Sequence, residues 1–353
     1  VTLPAWLERE PVVAVCGRSG SGKTTLLERV IPRLAAEGLS VGAVKHDAHG
    51  FEIDRPGKDS DRLFRAGAEV VLRGPEEVAV RSRPEAHTAL EAVLAALLAR
   101  HDLVLVEGHS ATPLPKVWLA GPGGDGPPPG TAAVAAVLAW DGERESALLA
   151  VVRERLAAAW RERPLLGGLL VGGASRRMGR PKQLLELGGR TLAETAAGAL
   201  APHVERVVLL GGGTVPAALE RCQRLPDPPG LAGPLAGILA ALRWAPRAAW
   251  AIAACDLPAV GPEAVAWLVG QRRPGRRAVL PRLPAGRVEP LLAVYEPHAA
   301  AVLEALAARG RLAPRELAGA PGVATPEPPP ELAGAWADVD TPGDLHRLGP
   351  RGR

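Results

Sequence analysis

The chain has 353 residues, 47% of them apolar, and a formal net charge of +4. At roughly 150 residues per domain this length implies about two domains, and the apolar share is ample for two cores, which excludes disorder throughout. The 38 acidic residues are interspersed with the 42 basic ones, and the chain holds only two Phe and one Tyr, so nothing supports a nucleic-acid partner.

Cys16, Cys222 and Cys255 lie far apart with no Cys-x-x-Cys spacing, which indicates neither a zinc site nor a disulfide framework and points to a reducing, cytoplasmic compartment. Neither VTLPAWLEREP at the start nor any later stretch holds about 18 uninterrupted apolar residues, so no targeting or membrane segment is expected. Lysine is rare: five residues among the 42 basic ones, each inside a short motif-like string. In a chain that uses arginine wherever any solvated cation serves, Lys23, Lys45, Lys58, Lys116 and Lys182 mark places that need a slim ammonium.

From Pro11, PVVAVC, TTLLERVIPRLAAEG and LSVGAVKH read as strand, helix and strand. EVVLRG and EVAVRS read as further strands, HTALEAVLAALLARH as a helix, and DLVLVEG as a buried strand ending on Glu107. The alternation predicts a mostly parallel α/β sheet. GPGGDGPPPG at 121–130 has the composition of a linker, but TAAVAAVLAW and SALLAVVRERLAAAW read as the strand and closing helix that finish the first sheet. The boundary is therefore placed near 161–164, giving domains 1–162 and 163–353. There the pattern restarts with LLGGLLVGG as a strand and TLAETAAGALA as a helix. ERVVLLGG, AWAIAAC, RAVLPRL and PLLAVYEP follow as strands, separated by helical PLAGILAALRW, PEAVAWLVGQ and HAAAVLEALAARG. A second α/β domain is expected, and no internal repeat is visible.

Gly17-Arg18-Ser19-Gly20-Ser21-Gly22-Lys23-Thr24 fits G-x-x-x-x-G-K-[ST] between a predicted strand and a predicted helix, the context that motif needs. Backbone N–H groups of such a loop wrap a phosphate at a helix N-terminus, Lys23 reaches the β and γ phosphates, and Thr24 holds Mg²⁺. Gly17, Ser19, Gly20, Ser21, Gly22, Lys23, Thr24 and Thr25 are thus nucleotide-binding candidates. Glu107, at the end of a later strand, is a candidate metal- or water-orienting carboxylate or an ordinary strand end. The string KHDAHGFEIDRPGKDSDR crowds ionisable groups around a proline turn, and such loops tend to be functional. His46 and His49 with Asp54 are either metal ligands or merely hydrogen-bonded groups.

GRSGSGKTTLLERVIPRL, VGAVKHDAHGFEIDRPGKDSDRLFRAGA and DLVLVEGHSATPLPKVWL, in that order, resemble the MobB-type GTP-binding adapter of molybdopterin-guanine dinucleotide synthesis over roughly residues 11–160. The resemblance implies a P-loop NTPase-like fold, GTP as ligand, Lys23 and Thr24 on phosphate and Mg²⁺, and a possible homodimer through this domain. The residues alone say nucleoside triphosphate rather than GTP, since no N-K-x-D base-reading motif is present and the chain has no Asn. Lys45, Lys58, Lys116, His46 and His49 receive no assigned role.

A second glycine-rich string, LVGGASRRMGRPK, carries its lysine three residues after the last Gly and cannot be a Walker loop. Backbone at Gly172 and Gly173 can approach a nucleotide closely, while Arg177 and Lys182 can neutralise a triphosphate whose α phosphorus accepts a nucleophile. Asp256 follows a buried strand and emerges at the C-terminal edge of a sheet, where α/β sheets bind ligands, so it is the candidate Mg²⁺ ligand. Asp227 is either a ligand-site residue or a turn and cap residue. Asp340 precedes Thr-Pro and reads equally as an N-cap of the last helix.

LVGGASRRMGRPKQLLELGGRTL, GPLAGILAAL, AACDLP, EPLLAVYEP and DVDTPGDL resemble, in sequence order, the MobA-type molybdenum cofactor guanylyltransferases over residues 165–348. The resemblance implies a Rossmann-like nucleotidyltransferase sheet, with Leu170, Gly172, Gly173, Lys182 and Asp227 on the nucleotide, Asp256 on Mg²⁺, and Lys182, Arg177 and Asp256 as catalytic residues. Related cytidylyltransferases usually begin the first motif with Ala-Ala-Gly and lack Gly-Pro-Leu-Ala-Gly, so Gly172-Gly173 and Gly233 to Gly237 favour guanine. Pro181 stands where many guanylyltransferases have Asp, and Asp338 and Asp340 where the family often has Asn. The expected activity is transfer of GMP from Mg-GTP to molybdenum-loaded molybdopterin, with a molybdoenzyme or its chaperone as cofactor acceptor. A cytidylyl- or sugar-nucleotidyltransferase, or a non-catalytic GTP-dependent carrier, are the alternatives.

Overall fold

The computed structural model describes residues 3–46, 54–83, 89–172, 181–339, 341 and 343–344. The chain divides into two compact units, Val1–Ala159 and Trp160–Arg353.

The first unit runs β1 (Val12–Gly17), α1 (Lys23–Ala36), β2 (Val41–Lys45), α2 (Asp59–Arg65), β3 (Val70–Arg73), β4 (Val78–Arg81), α3 (Leu90–Leu98), β5 (Leu103–Glu107), β6 (Lys116–Leu119), β7 (Val134–Leu138) and α4 (Arg144–Glu162), whose last turn crosses into the second. Five strands form one parallel sheet in the order β2-β5-β1-β6-β7. β1 and β5 are near-continuous apolar runs because both their faces are covered. Leu26, Leu27, Val30 and Leu34 of α1 and Leu148, Leu149, Val152 and Leu156 of α4 cover one face; Leu7, Leu94 and Leu114 pack on the other. Each such side chain contributes roughly 1.5–3 kcal/mol relative to exposure.

Two expectations need correction. β3 and β4 are strands, but they form a separate antiparallel hairpin with Val70 opposite Arg81, not part of the parallel sheet. Only Gly74–Glu77 separates them, closed by the Gly74 N–H donating to Glu77 O, and a parallel pair needs a crossover of a dozen residues or more. Conversely β6, flanked by Pro113 and Pro115 and opening on a lysine, was not read as a strand, yet it is fully buried beside β1.

The second unit runs β8 (Leu165–Leu170), β9 (Glu186–Leu187), β10 (Arg190–Thr191), α5 (Leu192–Leu200), β11 (Val207–Leu210), β12 (Arg224–Leu225), α6 (Pro234–Trp244), β13 (Ala249–Ala254), α7 (Pro262–Gly270), β14 (Ala278–Val279), β15 (Leu292–Tyr295), α8 (Ala299–Ala307) and β16 (Val323–Ala324). Its seven-stranded sheet has the order β12-β11-β8-β13-β15-β14-β16, parallel from β12 to β13 and antiparallel at β15. α5 starts where Thr191 Oγ1 accepts from the Glu194 N–H and the Glu194 carboxylate accepts from the Thr191 N–H, the reciprocal cap that the T-L-A-E spacing encodes. The sheet places the C-terminal ends of β8, β11 and β13 side by side, and the polar residues collect there.

Candidate functional site

In the first unit the turn after β1 is built for close backbone approach. Gly17 has φ +153°, and a Cβ there would lie 2.5 Å from Ser21 Oγ and 2.7 Å from Leu119 O. Gly22 precedes α1 with a left-handed conformation and no side-chain cap, so the first N–H groups of α1 lie open to an anion. Ser19, Gly20 and Thr25 are exposed along this loop and helix start, while Ser21 is buried with its Oγ unpaired. Lys23 Nζ donates to Gly17 O at 3.0 Å and Arg18 O at 2.9 Å, which holds the ammonium across the loop mouth. Thr24 Oγ1 donates to Glu107 Oε1 at 2.9 Å, bringing together two oxygen groups 83 positions apart in sequence.

Other polar residues settle into different roles. Lys116 is wholly buried, and its Nζ donates to Thr112 O at 2.5 Å and Ala132 O at 2.6 Å; burial lowers its pKa. Of the proposed histidine metal set, His46 packs against His109 with ring centroids 4.3 Å apart and the rings tilted by 37°, Asp54 pairs with Arg81 at 3.6 Å, and His49 lies outside the described residues. Burial, with His46 beside it, lowers the pKa of His109. No group of three His, Cys, Asp or Glu among the described residues is placed to hold a metal. Lys45 and Lys58 are exposed. Two residues escaped the sequence reading. Asp61 is buried and accepts from the Gly57 N–H, Arg65 and Arg81. Arg144 donates to Ser21 O at 2.8 Å, Ala139 O at 2.6 Å and Ala120 O, tying the phosphate loop to the ends of β6 and β7. Asp61 lies in the ionisable string after β2 but was not singled out there, and Arg144 lies in no recognisable string.

In the second unit Gly172 has φ +122°, and a Cβ there would come within 2.6 Å of Gly212 O; one on Gly211 would come as close to Val171 O. The turns after β8 and β11 therefore touch backbone to backbone, and the Gly211-Gly212-Gly213 run is the missed signal. Leu170, Gly172, Gly211 and Asp227 line a cleft of about 330 Å³ at this junction. Partial burial raises the pKa of Asp227, which does not cap the helix that follows it: α6 has Gly233 at its N-cap. Lys182 Nζ donates to Asp256 Oδ2 at 2.9 Å, with both side chains mostly buried. Next to Lys182, buried Gln183 donates from Nε2 to Thr214 O at 3.0 Å, fastening the lysine segment to the glycine turn. Gly173 and Arg177 lie outside the described residues, as does Asp340. Close by, the Thr341 N–H and hydroxyl donate to the Asp344 carboxylate at 2.8 Å, and the Asp344 N–H donates back to Thr341 Oγ1 at 3.3 Å. The Val339 N–H donates to Asp256 O at 3.1 Å, which brings Asp338 to the same sheet edge. Glu289 joins them unforeseen: burial, and then nearby Asp338 and Asp256, raise its pKa, and Arg287 Nε holds its carboxylate at 3.1 Å. Burial and Asp256 push the Cys255 thiol up to about 12, which keeps it protonated.

Residues 12–139 match the family model of molybdopterin guanine dinucleotide synthesis protein B, and residues 167–320 match that of the MobA-like NTP transferase domain. A probable molybdenum cofactor guanylyltransferase of Opitutus terrae is 38% identical over 153 residues, 41% of this chain and 73% of that protein. The chain belongs to the MobA-like NTP transferase family. Ahead of that unit stands a MobB unit, 42% identical over 112 residues to a molybdopterin-guanine dinucleotide biosynthesis adapter protein of Haemophilus influenzae, 31% of this chain and 62% of that one. The chain spans 62–65% of the length of the first adapter relatives it matches. Among solved structures, molybdopterin-guanine dinucleotide biosynthesis protein A from Archaeoglobus fulgidus aligns at TM-score 0.44 and 27% identity, covering 52% of this chain and 96% of that one. No helix among the described residues is long and apolar enough to cross a membrane.

Proposed function

We propose that the MobA-like unit transfers GMP from magnesium-bound GTP to the terminal phosphate of molybdenum-loaded molybdopterin. The observation that carries this reading is the Lys182–Asp256 pair at the end of β13, beside the backbone junction of Gly172 and Gly212. An oxygen of the acceptor phosphate attacks the α phosphorus of GTP, the bond from that phosphorus to the bridging oxygen breaks, and pyrophosphate leaves with the electron pair. The attacking group is already anionic, so no general base is needed. Positioning by the glycine turns and charge stabilisation by Lys182, with Arg177 from the same string, supply the catalysis.

Magnesium fits the residues present. Asp256 offers one partly exposed carboxylate at the sheet edge, and no cage of three acids surrounds it among the described residues, which suits an ion held by one carboxylate, phosphate oxygens and water. When bound it would neutralise charge on the triphosphate. In the MobB unit, Thr24 and Glu107 would play the corresponding part. That unit would bind GTP and assist delivery of the product to a molybdoenzyme or its chaperone. Val71, Val78 and Val80, exposed on the β3–β4 hairpin, support a homodimer through it, and three unpaired thiols suit a reducing cytoplasm. The test is single-turnover transfer by the purified chain, read by mass analysis of pterin products with GTP or CTP, with Asp256→Ala as control. GMP transfer abolished in the control is expected; product from CTP alone, or no product at all, overturns the reading.

A further inference from the structure

The MobB unit lacks the usual guanine-reading motif, yet its phosphate loop opens into a second compartment. A cleft of about 790 Å³ runs from Gly20, Gly22 and Thr25 to Trp140 and Glu143 in the turn after β7. That volume is in the range of small-molecule sites. A phosphate chain held on the loop therefore delivers its nucleoside against this turn.

The turn is shaped for a planar ligand. Trp140 is 45% exposed, a large aromatic left at a cleft wall. The Arg144 guanidinium, 5.0 Å from the ring centroid, backs the indole, leaving its remaining surface for another plane. The same arginine grips Ala139 O and Ser21 O, so the turn and the phosphate loop are fixed to one another. The acceptor groups differ in availability. Glu145 is engaged by Arg33 at 2.5 Å, whereas Glu143 Oε2 accepts from the Ser146 hydroxyl at 3.2 Å and stands exposed at the wall. A carboxylate accepts two parallel N–H bonds; guanine offers that pair at N1–H and its 2-amino group, and adenine does not.

We propose that this cleft is the base site of the N-terminal nucleotide, with Trp140 stacking on a guanine and Glu143 accepting from its N1–H and 2-amino group. This rests on reading the MobB unit as a GTP binder, and the test keeps the two apart. Equilibrium titrations use the full chain carrying Lys182→Ala and Asp256→Ala, so that only the N-terminal site is scored. Expected are one GTP per chain, lost with Lys23→Ala, and about tenfold weaker GTP with Trp140→Ala while inorganic tripolyphosphate binding is unchanged. Glu143→Gln should invert the preference from GTP to XTP, because an amide can donate to the xanthine 2-oxo group and still accept from N1–H; a merely structural role would not do this. Loss of binding in Lys23→Ala with unaltered nucleotide preference in Glu143→Gln and unaltered affinity in Trp140→Ala overturns the base site alone. Retained stoichiometric binding in Lys23→Ala overturns the GTP-binding reading and the base site with it.

Discussion

Lys182 Nζ and Asp256 Oδ2 meet at 2.9 Å although 74 positions separate them, one from the segment after β8 and the other from the end of β13. A cation and an anion so placed present opposite charges to a ligand at the same sheet edge. Asp256→Asn keeps the shape and removes the charge, and Lys182→Arg keeps the charge and changes the shape. Each should lower the single-turnover rate of GMP transfer by about 10²–10³-fold, the cost typical of losing one preorganised charge contact. Full activity in Lys182→Arg, measured by quenched flow, would mean that any cation suffices there.

Gly172→Ala tests the backbone junction. The new Cβ would fall 2.6 Å from Gly212 O in a conformation that L side chains rarely adopt, so the turns after β8 and β11 must part. GTP affinity of the MobA-like unit, followed by calorimetry with Lys23→Ala in the background, should drop by tenfold or more. The melting temperature should fall as well, because the strained Cβ loads a junction whose neighbours Val171 and Leu210 belong to the apolar cores, so binding is compared well below the melting temperature of the variant. An unchanged affinity would place the nucleotide elsewhere.

Lys116 invites a different experiment. Its buried ammonium satisfies the carbonyls of Thr112 and Ala132, so Lys116→Met fills the volume and strands both acceptors. A loss of about 1–3 kcal/mol in urea unfolding of the MobB unit is expected, with GTP binding retained under native conditions. Wild-type stability in Lys116→Met would show that the carbonyls find water instead.

These residues also show where the sequence was readable. The glycine-lysine strings stood out because phosphate binding constrains a contiguous loop, and Asp256 because a buried strand announces its own end. Lys116 was visible only as a rare residue type; its two acceptors come from loops that become neighbours after folding. Arg144 and Gln183 left no trace, since an arginine in an arginine-rich chain, or one glutamine after a lysine, acquires meaning only from carbonyls brought in by tertiary structure. The β3–β4 pair was read correctly as strands and wrongly as part of the main sheet, because alternation reports extended backbone and says nothing of the pairing partner.

Asp61 supplies the pH-dependent element. It accepts from the Gly57 N–H at 2.9 Å, from Arg65 Nε at 2.8 Å and from Arg81 Nη1 at 3.0 Å, joining α2 to β4. The Gly57 N–H first, and then Arg65, hold its pKa down from 3.8 to about 2. The folded value lies below the unfolded one, so the contribution is whole above the unfolded value and is lost as the pH falls through the folded one. Between pH 5 and 2 the hairpin should loosen from α2, seen as faster amide exchange in β3 and β4 before the parallel sheet exchanges. Asp61→Asn should exchange rapidly there already at pH 5 and lose most of that pH dependence. An identical pH profile in wild type and Asp61→Asn would assign the acid response to other carboxylates.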